Sequence, residues 1–339
     1  MSEAMKQIIG KVGEGQGLSQ GDAMVAFDCI MSGNATPVQI GAFMMGLRLR
    51  GETVEEITAG AQTMRDKMKR VKAPAGAIDI VGTGGDSRNT LNISTATALV
   101  VAGCGVSVAK HGSKAVSSKS GASDVLSCLG VNLMAEVEQV EQAIDQAGIG
   151  FLMAPLYHSA MKHVAGPRAD LGIRTIFNLL GPISNPAGVK RQMTGVFDKH
   201  WVRPLAEVLG RLGSEKVWVV HGADGMDELT TTGISYVAEY ENGSVREFEI
   251  DPTTLGLKTV ELSDLVGGDG AYNAAAIKRL LDGEAGAYRD VVLLNSAAAL
   301  LVADKVTCMA DGIVMAAQSI DDDKAKAALA KLVEITNGA

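Results

Sequence analysis

A change in sequence periodicity near residue 73 limits the folds open to this 339-residue chain more than any other feature. Before it, apolar residues recur at helical spacing. After it, short apolar runs that end in glycine alternate with helical segments, starting with "AIDIVGTGGD". Because parallel strands are joined through helical crossovers, this alternation predicts a mainly parallel sheet. We therefore expect an α/β protein with a small all-helical domain and a larger α/β domain.

Three N-terminal helices carry clear boundary signals. Each starts at a Ser or Thr cap with an acid or amide side chain three residues later. The helices predicted on this basis span residues 19–33, 36–51 and 53–68. In the second part of the chain we predict strands at 78–81, 106–112 and 216–222, helices at 94–105 and 137–148, and a strand that enters a helix at 290–303.

Composition limits the partners that the protein can bind and indicates its cellular compartment. A formal net charge of -8 argues against a general nucleic-acid or membrane-surface binder, since such proteins meet phosphates with positive charge. The four cysteines are dispersed in apolar surroundings without CxxC spacing, which predicts buried reduced thiols and a cytoplasmic location. Charges interrupt the apolar N-terminal stretch, so we expect neither a signal peptide nor a membrane anchor.

A glycine-rich segment, "GTGGDSRNTLNIST" at residues 82–95, lies between a predicted strand and a predicted helix. In open α/β sheets, ligands gather at the carboxyl ends of the strands, and glycine lets backbone N–H groups approach a phosphate closely. The pattern is neither GxGxxG nor Walker A. A site for a phosphorylated ligand and a tight turn with a helix cap both remain open explanations.

Positive charge is concentrated in "KHGSKAVSSKSG", residues 110–121, which places three lysines and four serines in an acidic chain. Ammonium and hydroxyl groups suit a multiply charged anion. The alternative is a solvated basic loop. The position of the segment after the apolar run "VSVA", level with the first loop, favours ligand binding.

Two adjacent carboxylates, Asp227 and Glu228, follow the predicted strand "KVWVV". Taken alone, they are better explained as an acidic turn or a helix cap. Mg²⁺, however, commonly binds through one or two carboxylates together with substrate phosphates. Opposite two loops suited to phosphate, a Mg²⁺ site becomes the more economical explanation.

A fourth segment, "APLYHSAMKHVAGPRADLGIRTIFNLLGP", contains histidines and arginines without the spacing of a zinc site. The rigid guanidinium forks of Arg168 and Arg174 are suited to bidentate contact with a carboxylate. A surface ion pair is the alternative for either residue, and the residue chemistry does not choose between the two.

In their order and spacing, the motifs "GTGGD", "NIST", "KHG", "VSSKSG", "RTIFNLLGP", "NPA" and "DGMDE" resemble the anthranilate phosphoribosyltransferase family over most of the chain. The resemblance implies the nucleoside phosphorylase type of architecture, and a homodimer formed through the helical domain. It implies transfer of the phosphoribosyl group from phosphoribosyl pyrophosphate to anthranilate in tryptophan biosynthesis, with Mg²⁺ as cofactor. The implied domains are 1–72 with about 171–191, and 73–170 with 192–339.

The resemblance also implies site residues by matching position, and it assigns catalysis to positioning and electrostatics rather than to a side chain. The implied donor-binding residues are Gly82, Gly85, Asp86, Thr90, Asn92, Ile93, Ser94, Thr95, Lys110, His111, Gly112, Ser113, Lys114, Ala115, Val116, Ser117, Ser118 and Ala122. The implied anthranilate-binding residues are Gly82, His111, Ser113, His158 and Arg168. The implied metal ligands are Ser94, Asp227 and Glu228.

The chain departs from the family pattern at three of these positions. The family usually has "KHGNR", so Ser113 replaces an asparagine and Lys114 replaces an arginine, and Ala122 stands where serine is usual. Serine lacks the asparagine amide, and lysine lacks the bidentate fork of arginine. These changes keep two alternatives open: a relative that acts on another aromatic amine or base, or a nucleoside phosphorylase. A non-catalytic nucleic-acid-binding relative is disfavoured because the donor and carboxylate motifs are intact.

Overall fold

A seven-stranded sheet forms the centre of the larger domain. The computed structural model describes residues 3–114 and 119–338. The strands in these ranges are β1 Ile78–Gly82, β2 Val108–Gly112, β3 Ile149–Met153, β4 Arg191–Gly195, β5 Lys216–Gly222, β6 Ser235–Glu241 and β7 Ser244–Ile250. They lie in the order β3-β2-β1-β4-β5-β6-β7, and the first five are parallel. The predicted α/β fold with a mainly parallel sheet is confirmed.

The N-terminal helices begin where the capping signals predict. They are α1 Glu3–Gly13, α2 Gln20–Met31, α3 Pro37–Arg50 and α4 Val54–Lys67. Reciprocal capping boxes are formed by Thr36 with Gln39 and by Thr53 with Glu56. The first helix was not predicted individually. Hydrogen bonding between a cap and the third helical residue therefore makes the starts of α3 and α4 predictable from local sequence.

The remaining helices pack on the sheet or complete the helical domain. They are α5 Ile93–Gly103, α6 Ala122–Cys128, α7 Val137–Gln146, α8 Ala154–Tyr157, α9 Lys162–Leu171, α10 Ile176–Leu180, α11 Val202–Arg211, α12 Gly270–Leu281, α13 Ala287–Val302, α14 Met309–Asp321 and α15 Lys324–Thr336. The helices predicted at 94–105 and 137–148 are confirmed.

The prediction of a strand at the start of residues 290–303 is wrong, because α13 is helical from Ala287 onwards. Eleven of its 16 residues are buried, including every residue from Val291 to Leu300, since it packs against α5, α14 and the sheet. A helix that is apolar on every side gives no amphipathic period, so a short apolar run in it is indistinguishable from a buried strand. The antiparallel pair β6 and β7 was not predicted either.

The sheet reverses its direction of growth between β1 and β4. From β1 the chain adds β2 and β3 on one side, and then β4 and β5 on the other. At such a switch point the loops after the two neighbouring strands run to opposite faces, which leaves a crevice at their carboxyl ends. The first glycine-rich loop leaves β1 at this crevice.

The helical domain has its own apolar core. Phe27 lies edge-on to Phe43 and to Phe177, with ring centroids 5.6 and 6.0 Å apart. Because Phe177 lies in α10, and α9 packs against α3, chain from beyond the first domain contributes to this core. On these contacts we propose that residues near 171–191 return to the helical domain, a division that stays a prediction.

The cysteines only partly follow the sequence-based expectation. All four are free, and Cys29 is buried as predicted. Cys128 and Cys308 are exposed, because one is the last residue of the short helix α6 and the other caps the start of α14. Within the described residues, every helix is too short or too polar to cross a membrane.

Candidate active site

Two glycines at the switch point leave room for one carboxylate. Gly82 and Gly195 are register partners at the carboxyl ends of β1 and β4. A Cβ on Gly82 would lie 2.3 Å from Asp227 Oδ2, and a Cβ on Gly195 would lie 1.4 Å from the Asp227 carbonyl oxygen. The Gly84 N–H donates to Asp227 Oδ2 at 2.6 Å. Asp227 is therefore seated in a notch that only glycine permits.

Three carboxylates meet at this notch. One oxygen from each of Asp86, Asp227 and Glu228 lies within 4.8 Å of the other two. Burial, and then the charge of Asp86, raise the pKa of Asp227 to about 7, and burial raises the pKa of Glu228 well above its usual value. Glu228 Oε2 is buried and has no hydrogen-bond partner among the described residues. This set of hard oxygen atoms fits a divalent cation such as Mg²⁺.

A buried lysine stands beside the carboxylates. Lys110 Nζ donates to the Ile80 carbonyl at 2.6 Å and lies 3.4 Å from Ser94 Oγ. Burial lowers the pKa of Lys110 to about 8, although Asp79, Glu228 and Asp227 each favour its charged form. The sequence analysis counted Lys110 both in the predicted strand at residues 106–112 and in the basic segment 110–121. The structure places it inside β2, in agreement with the predicted strand.

The second loop is only partly described. Ser113, Lys114 and Lys119 are exposed beyond the end of β2, and Ala122 begins α6. The predicted donor-binding residues Ala115, Val116, Ser117 and Ser118 lie outside the described residues.

Two histidines form a buried pair near the carboxyl end of β2. The Nε2 atoms of His111 and His158 are 3.2 Å apart. Burial, and then the charge of His158, lower the pKa of His111 to about 3, and burial lowers the pKa of His158 to about 4. Both rings are therefore neutral near pH 7. A neutral imidazole pair suits contact with an aromatic ligand better than it suits anion binding.

Arg168 is a desolvated cation on α9. Its guanidinium carbon lies 5.9 Å from the ring centroid of Phe177. Burial lowers the pKa of Arg168, and no carboxylate among the described residues opposes that shift. A planar guanidinium without a carboxylate partner is suited to a carboxylate on a ligand. Arg174, by contrast, stacks over Phe197 with its guanidinium carbon 4.5 Å from the ring centroid.

Sequence reasoning missed the residues that hold these groups in place. Asp79 is fully buried in β1, where it accepts from the His111 N–H at 3.1 Å and from Asn185 Nδ2 at 2.7 Å. Asn185 Nδ2 also donates to the Ala109 carbonyl. Burial raises the pKa of Asp79 to about 6. The only sequence signal was an acid inside the apolar run "IDIVG".

The structure brings the predicted residues together in two groups. Gly82, Ser94, Lys110, Asp227 and Glu228 lie around the notch, and Asp86, predicted only as a donor-binding residue, joins them. His111 and His158 form the second group, which adjoins the first because His111 follows Lys110 in β2.

Comparison with known proteins identifies the class to which this fold and site belong. The helical bundle domain of the glycosyl transferase family matches residues 6–68, and the a/b domain of the same family matches residues 75–326. Together these matches cover most of the chain. The protein is therefore a glycosyltransferase-type, two-part α/β protein.

Full-length relatives define the family within that class. Anthranilate phosphoribosyltransferase from Paramagnetospirillum magneticum is 60% identical, covering 98% of this chain and 96% of that protein. The crystal structure of the Thermus thermophilus enzyme is 40% identical with a TM-score of 0.93, covering 99% of this chain and all of that one. The Saccharomyces cerevisiae enzyme in complex with PRPP and Mg is 28% identical with a TM-score of 0.90, covering 100% and 99%. The chain belongs to the anthranilate phosphoribosyltransferase family, as the sequence analysis predicted.

Proposed function

We propose that this protein transfers the phosphoribosyl group of phosphoribosyl pyrophosphate to anthranilate in tryptophan biosynthesis, giving N-(5-phosphoribosyl)anthranilate and pyrophosphate. The observation that carries the proposal is the cluster of Asp86, Asp227 and Glu228 at the switch point, with a buried Glu228 oxygen that lacks a partner among the described residues. Burial, and then the charges of neighbouring carboxylates, raise the pKa values of Asp227 and Glu228, so a divalent cation that binds them would stabilise their ionised forms.

Mg²⁺ fits the chemistry of this cluster. Asp86, Asp227 and Glu228 would hold the ion, and the Ser94 hydroxyl on the neighbouring helix is the remaining proposed ligand. When bound, Mg²⁺ would offset the negative charge that collects on the departing pyrophosphate. Lys110 adds a fixed positive charge on the same side of the sheet.

The donor would lie along the two loops at the carboxyl ends of β1 and β2. Support comes from the backbone of the first loop, in which Ser87 and Asn89 both have left-handed conformations, with φ of 61° and 53°. Such turns direct successive N–H groups to one side, which suits an anion. The full donor-binding set proposed from the sequence remains a proposal.

The acceptor would lie between the histidine pair and Arg168. The Arg168 guanidinium suits the anthranilate carboxylate, and the neutral rings of His111 and His158 would contact its aromatic ring. The amine nitrogen forms a bond to the anomeric carbon as the bond from that carbon to the pyrophosphate oxygen breaks, and the electron pair leaves with pyrophosphate. The amine then loses a proton. This reaction depends on positioning and electrostatics and needs no side-chain nucleophile.

The test uses the fluorescence of anthranilate. The purified protein, incubated with both substrates and Mg²⁺, should consume anthranilate and release pyrophosphate in equal amounts. Asp227→Asn combined with Glu228→Gln should remove this activity while preserving the circular dichroism spectrum. Absence of turnover by the unaltered protein at high concentration would contradict the proposal, and a panel of other aromatic amines would then test the alternative acceptor.

We also propose that the protein is a cytoplasmic homodimer formed through the helical domain, without nucleic-acid or membrane partners. Support for the dimer comes from Val38, Met45 and Leu49, exposed at helical spacing on one face of α3. The free cysteines support a cytoplasmic location, and the net charge of -8 argues against nucleic-acid or membrane partners. Light scattering should give twice the chain mass, and Leu49→Lys should shift it toward the monomer. Cell fractionation and a DNA-binding assay test the rest.

A further inference from the structure

A segment far along the chain is hydrogen-bonded to the first glycine-rich loop. The Gly267 N–H donates to the Asn89 carbonyl at 2.8 Å, and the Leu91 N–H donates to the Leu265 carbonyl at 2.9 Å. The segment continues into the first turn of α12, where Asn273 is only 1% exposed. Residues 265–273 are therefore joined to the loop by backbone hydrogen bonds at two positions.

The orientation of the Asn273 amide is determined by a backbone group. The Gly268 N–H donates to Asn273 Oδ1 at 2.8 Å. Because a backbone N–H can only donate, the oxygen of Asn273 must face it. The Asn273 NH₂ group then faces Asn92, and it donates to Asn92 Oδ1 at 2.8 Å.

This contact in turn determines the orientation of Asn92. Since Asn92 Oδ1 accepts from Asn273, Asn92 Nδ2 faces the other way, and it lies 3.4 Å from the Ser120 carbonyl at the end of the second loop. The Gly268 N–H therefore determines, through the amides of Asn273 and Asn92, which group faces the Ser120 carbonyl at the end of the second loop.

The same contact keeps Asn92 from its ordinary local role. Asn92 is the N-cap residue of α5, yet its side chain makes no cap hydrogen bond. An asparagine at this position normally accepts from an N–H of the first turn. With its oxygen engaged by Asn273, Asn92 caps none of the first-turn N–H groups of α5. The Ile93 N–H donates to the Leu91 carbonyl at 2.8 Å, and the Ser94 N–H faces the Glu228 carboxylate.

We propose that Asn273 is a positioning residue for the phosphoribosyl donor: it holds the Asn92 amide with Nδ2 toward the donor and leaves the first turn of α5 uncapped. The inference rests on the proposed function, since it takes the donor to lie between the two loops. Asn273 itself acts only through Asn92 and is not a catalytic residue.

Asn273→Asp tests the amide orientation with almost no change in shape. The new carboxylate still accepts from the Gly268 N–H but cannot donate to Asn92 Oδ1. The Asn92 amide should therefore turn over, so that its oxygen faces the Ser120 carbonyl and the anionic donor. At pH 8 we expect the Kd for phosphoribosyl pyrophosphate with Mg²⁺, measured by calorimetry without acceptor, to rise at least about tenfold. The KM for anthranilate should stay within about twofold.

Asn132→Asp is the matched control. Asn132 Oδ1 also accepts from a backbone N–H, that of Met134, and its Nδ2 donates to the Thr336 carbonyl at 3.1 Å, so neither partner belongs to the two loops. This variant loses the same kind of hydrogen bond, but Asn132 is exposed whereas Asn273 is buried, so its thermal stability should fall less while the donor Kd stays unchanged. An equal rise in donor Kd for both variants would assign the effect to general loss of stability and overturn the inference.

Asn273→Asp made in the Asn92→Ala variant tests whether Asn273 affects donor binding through Asn92 or directly. If Asn273 acts through Asn92, Asn273→Asp should add less than about twofold to the donor Kd in that background. A full tenfold rise of the donor Kd in the Asn92→Ala background, or an unchanged donor Kd in Asn273→Asp alone, would overturn the inference. The proposed function would still stand if the wild type is active. A wild type without turnover would overturn both. If Asn273→Asp does not fold, Asn273→Ala, which frees Asn92 to cap α5, carries the same expectation.

Discussion

Gly195→Ala should damage the active site by adding a single methyl group. The added Cβ would lie 1.4 Å from the Asp227 carbonyl oxygen, whereas real Cβ atoms essentially never approach another heavy atom within 3.0 Å. The end of β4 and the Asp227 backbone must therefore separate by roughly 1.6 Å. The three carboxylates of the metal cluster lie within 4.8 Å of one another, so this displacement is a large fraction of their spacing.

We expect Gly195→Ala to reduce kcat/KM about 100-fold, because misplacing a catalytic group by about 1 Å costs on this order. Overpacking should also lower the free energy of unfolding by about 1–3 kcal/mol. The measurements are anthranilate fluorescence across a Mg²⁺ titration, and thermal unfolding with and without Mg²⁺. The concentration of Mg²⁺ that gives half-maximal activity should rise together with the loss of rate.

Gly10→Ala provides the control for the glycine substitution itself. Gly10 lies in α1, and a Cβ there would meet no atom within 4 Å. The change should raise the free energy of unfolding by about 0.5–1 kcal/mol and leave activity intact, since alanine favours a helix over glycine. If Gly195→Ala kept the wild-type kcat/KM and Mg²⁺ dependence, the assignment of Asp227 to a tightly fitted notch would be refuted.

Three further perturbations test the electrostatics of the site. Without metal at pH 8, the variant that combines Asp227→Asn and Glu228→Gln should have a higher melting temperature than wild type. The reason is that the folded protein loses stability when buried carboxyls with raised pKa ionise as pH rises through about 7. Mg²⁺ should raise the melting temperature of wild type but not of the variant. As pH falls from about 6.5 to 4, His158 should cost stability measured in urea, since unfolded histidines bind protons that its buried ring refuses, whereas Asp79 and Asp227, whose pKa values are raised, change stability in the opposite direction. The stability of His158→Gln relative to wild type should therefore rise as pH falls, and that of the exposed His200→Gln should not, so equal changes in the two variants would argue against the buried pair. Arg168→Lys should raise the KM for anthranilate about tenfold with the donor KM unchanged, because an ammonium cannot contact a carboxylate bidentately; a rise in donor KM instead would place Arg168 elsewhere.

Features set by neighbouring residues could be predicted from the sequence, and features set by distant ones could not. The capping boxes at Thr36 and Thr53 involve residues three positions apart, so the helix starts follow from local chemistry. The strand β5 was predicted with its observed bounds because its apolar run is short and ends in glycine. The pair β6 and β7 was missed because the exposed edge strand β7 carries little apolar signal.

The same distinction separates the site residues that could be predicted from those that could not. Adjacency in sequence made Asp227 and Glu228 recognisable as a pair of candidate oxygen ligands, whereas Asp86, in the first loop, meets them only in the folded structure. Asp79 meets Asn185, and Asn92 meets Asn273, across separations of 106 and 181 residues. A single sequence contains no signal for which polar side chains will face each other after the sheet has formed.

The position of the notch at the switch point also means that the proposed cation site forms only when folding is complete. Its walls come from β1 and β4, and its occupant follows β5, so three strands must be in register before the carboxylates meet. β1 and β4 are paired across more than a hundred residues of intervening chain, and such non-local pairing forms late. A partly folded chain therefore has no cation site to populate. Divalent cation in the cell would shift the equilibrium only toward molecules whose sheet is finished, protecting them selectively from unfolding and proteolysis.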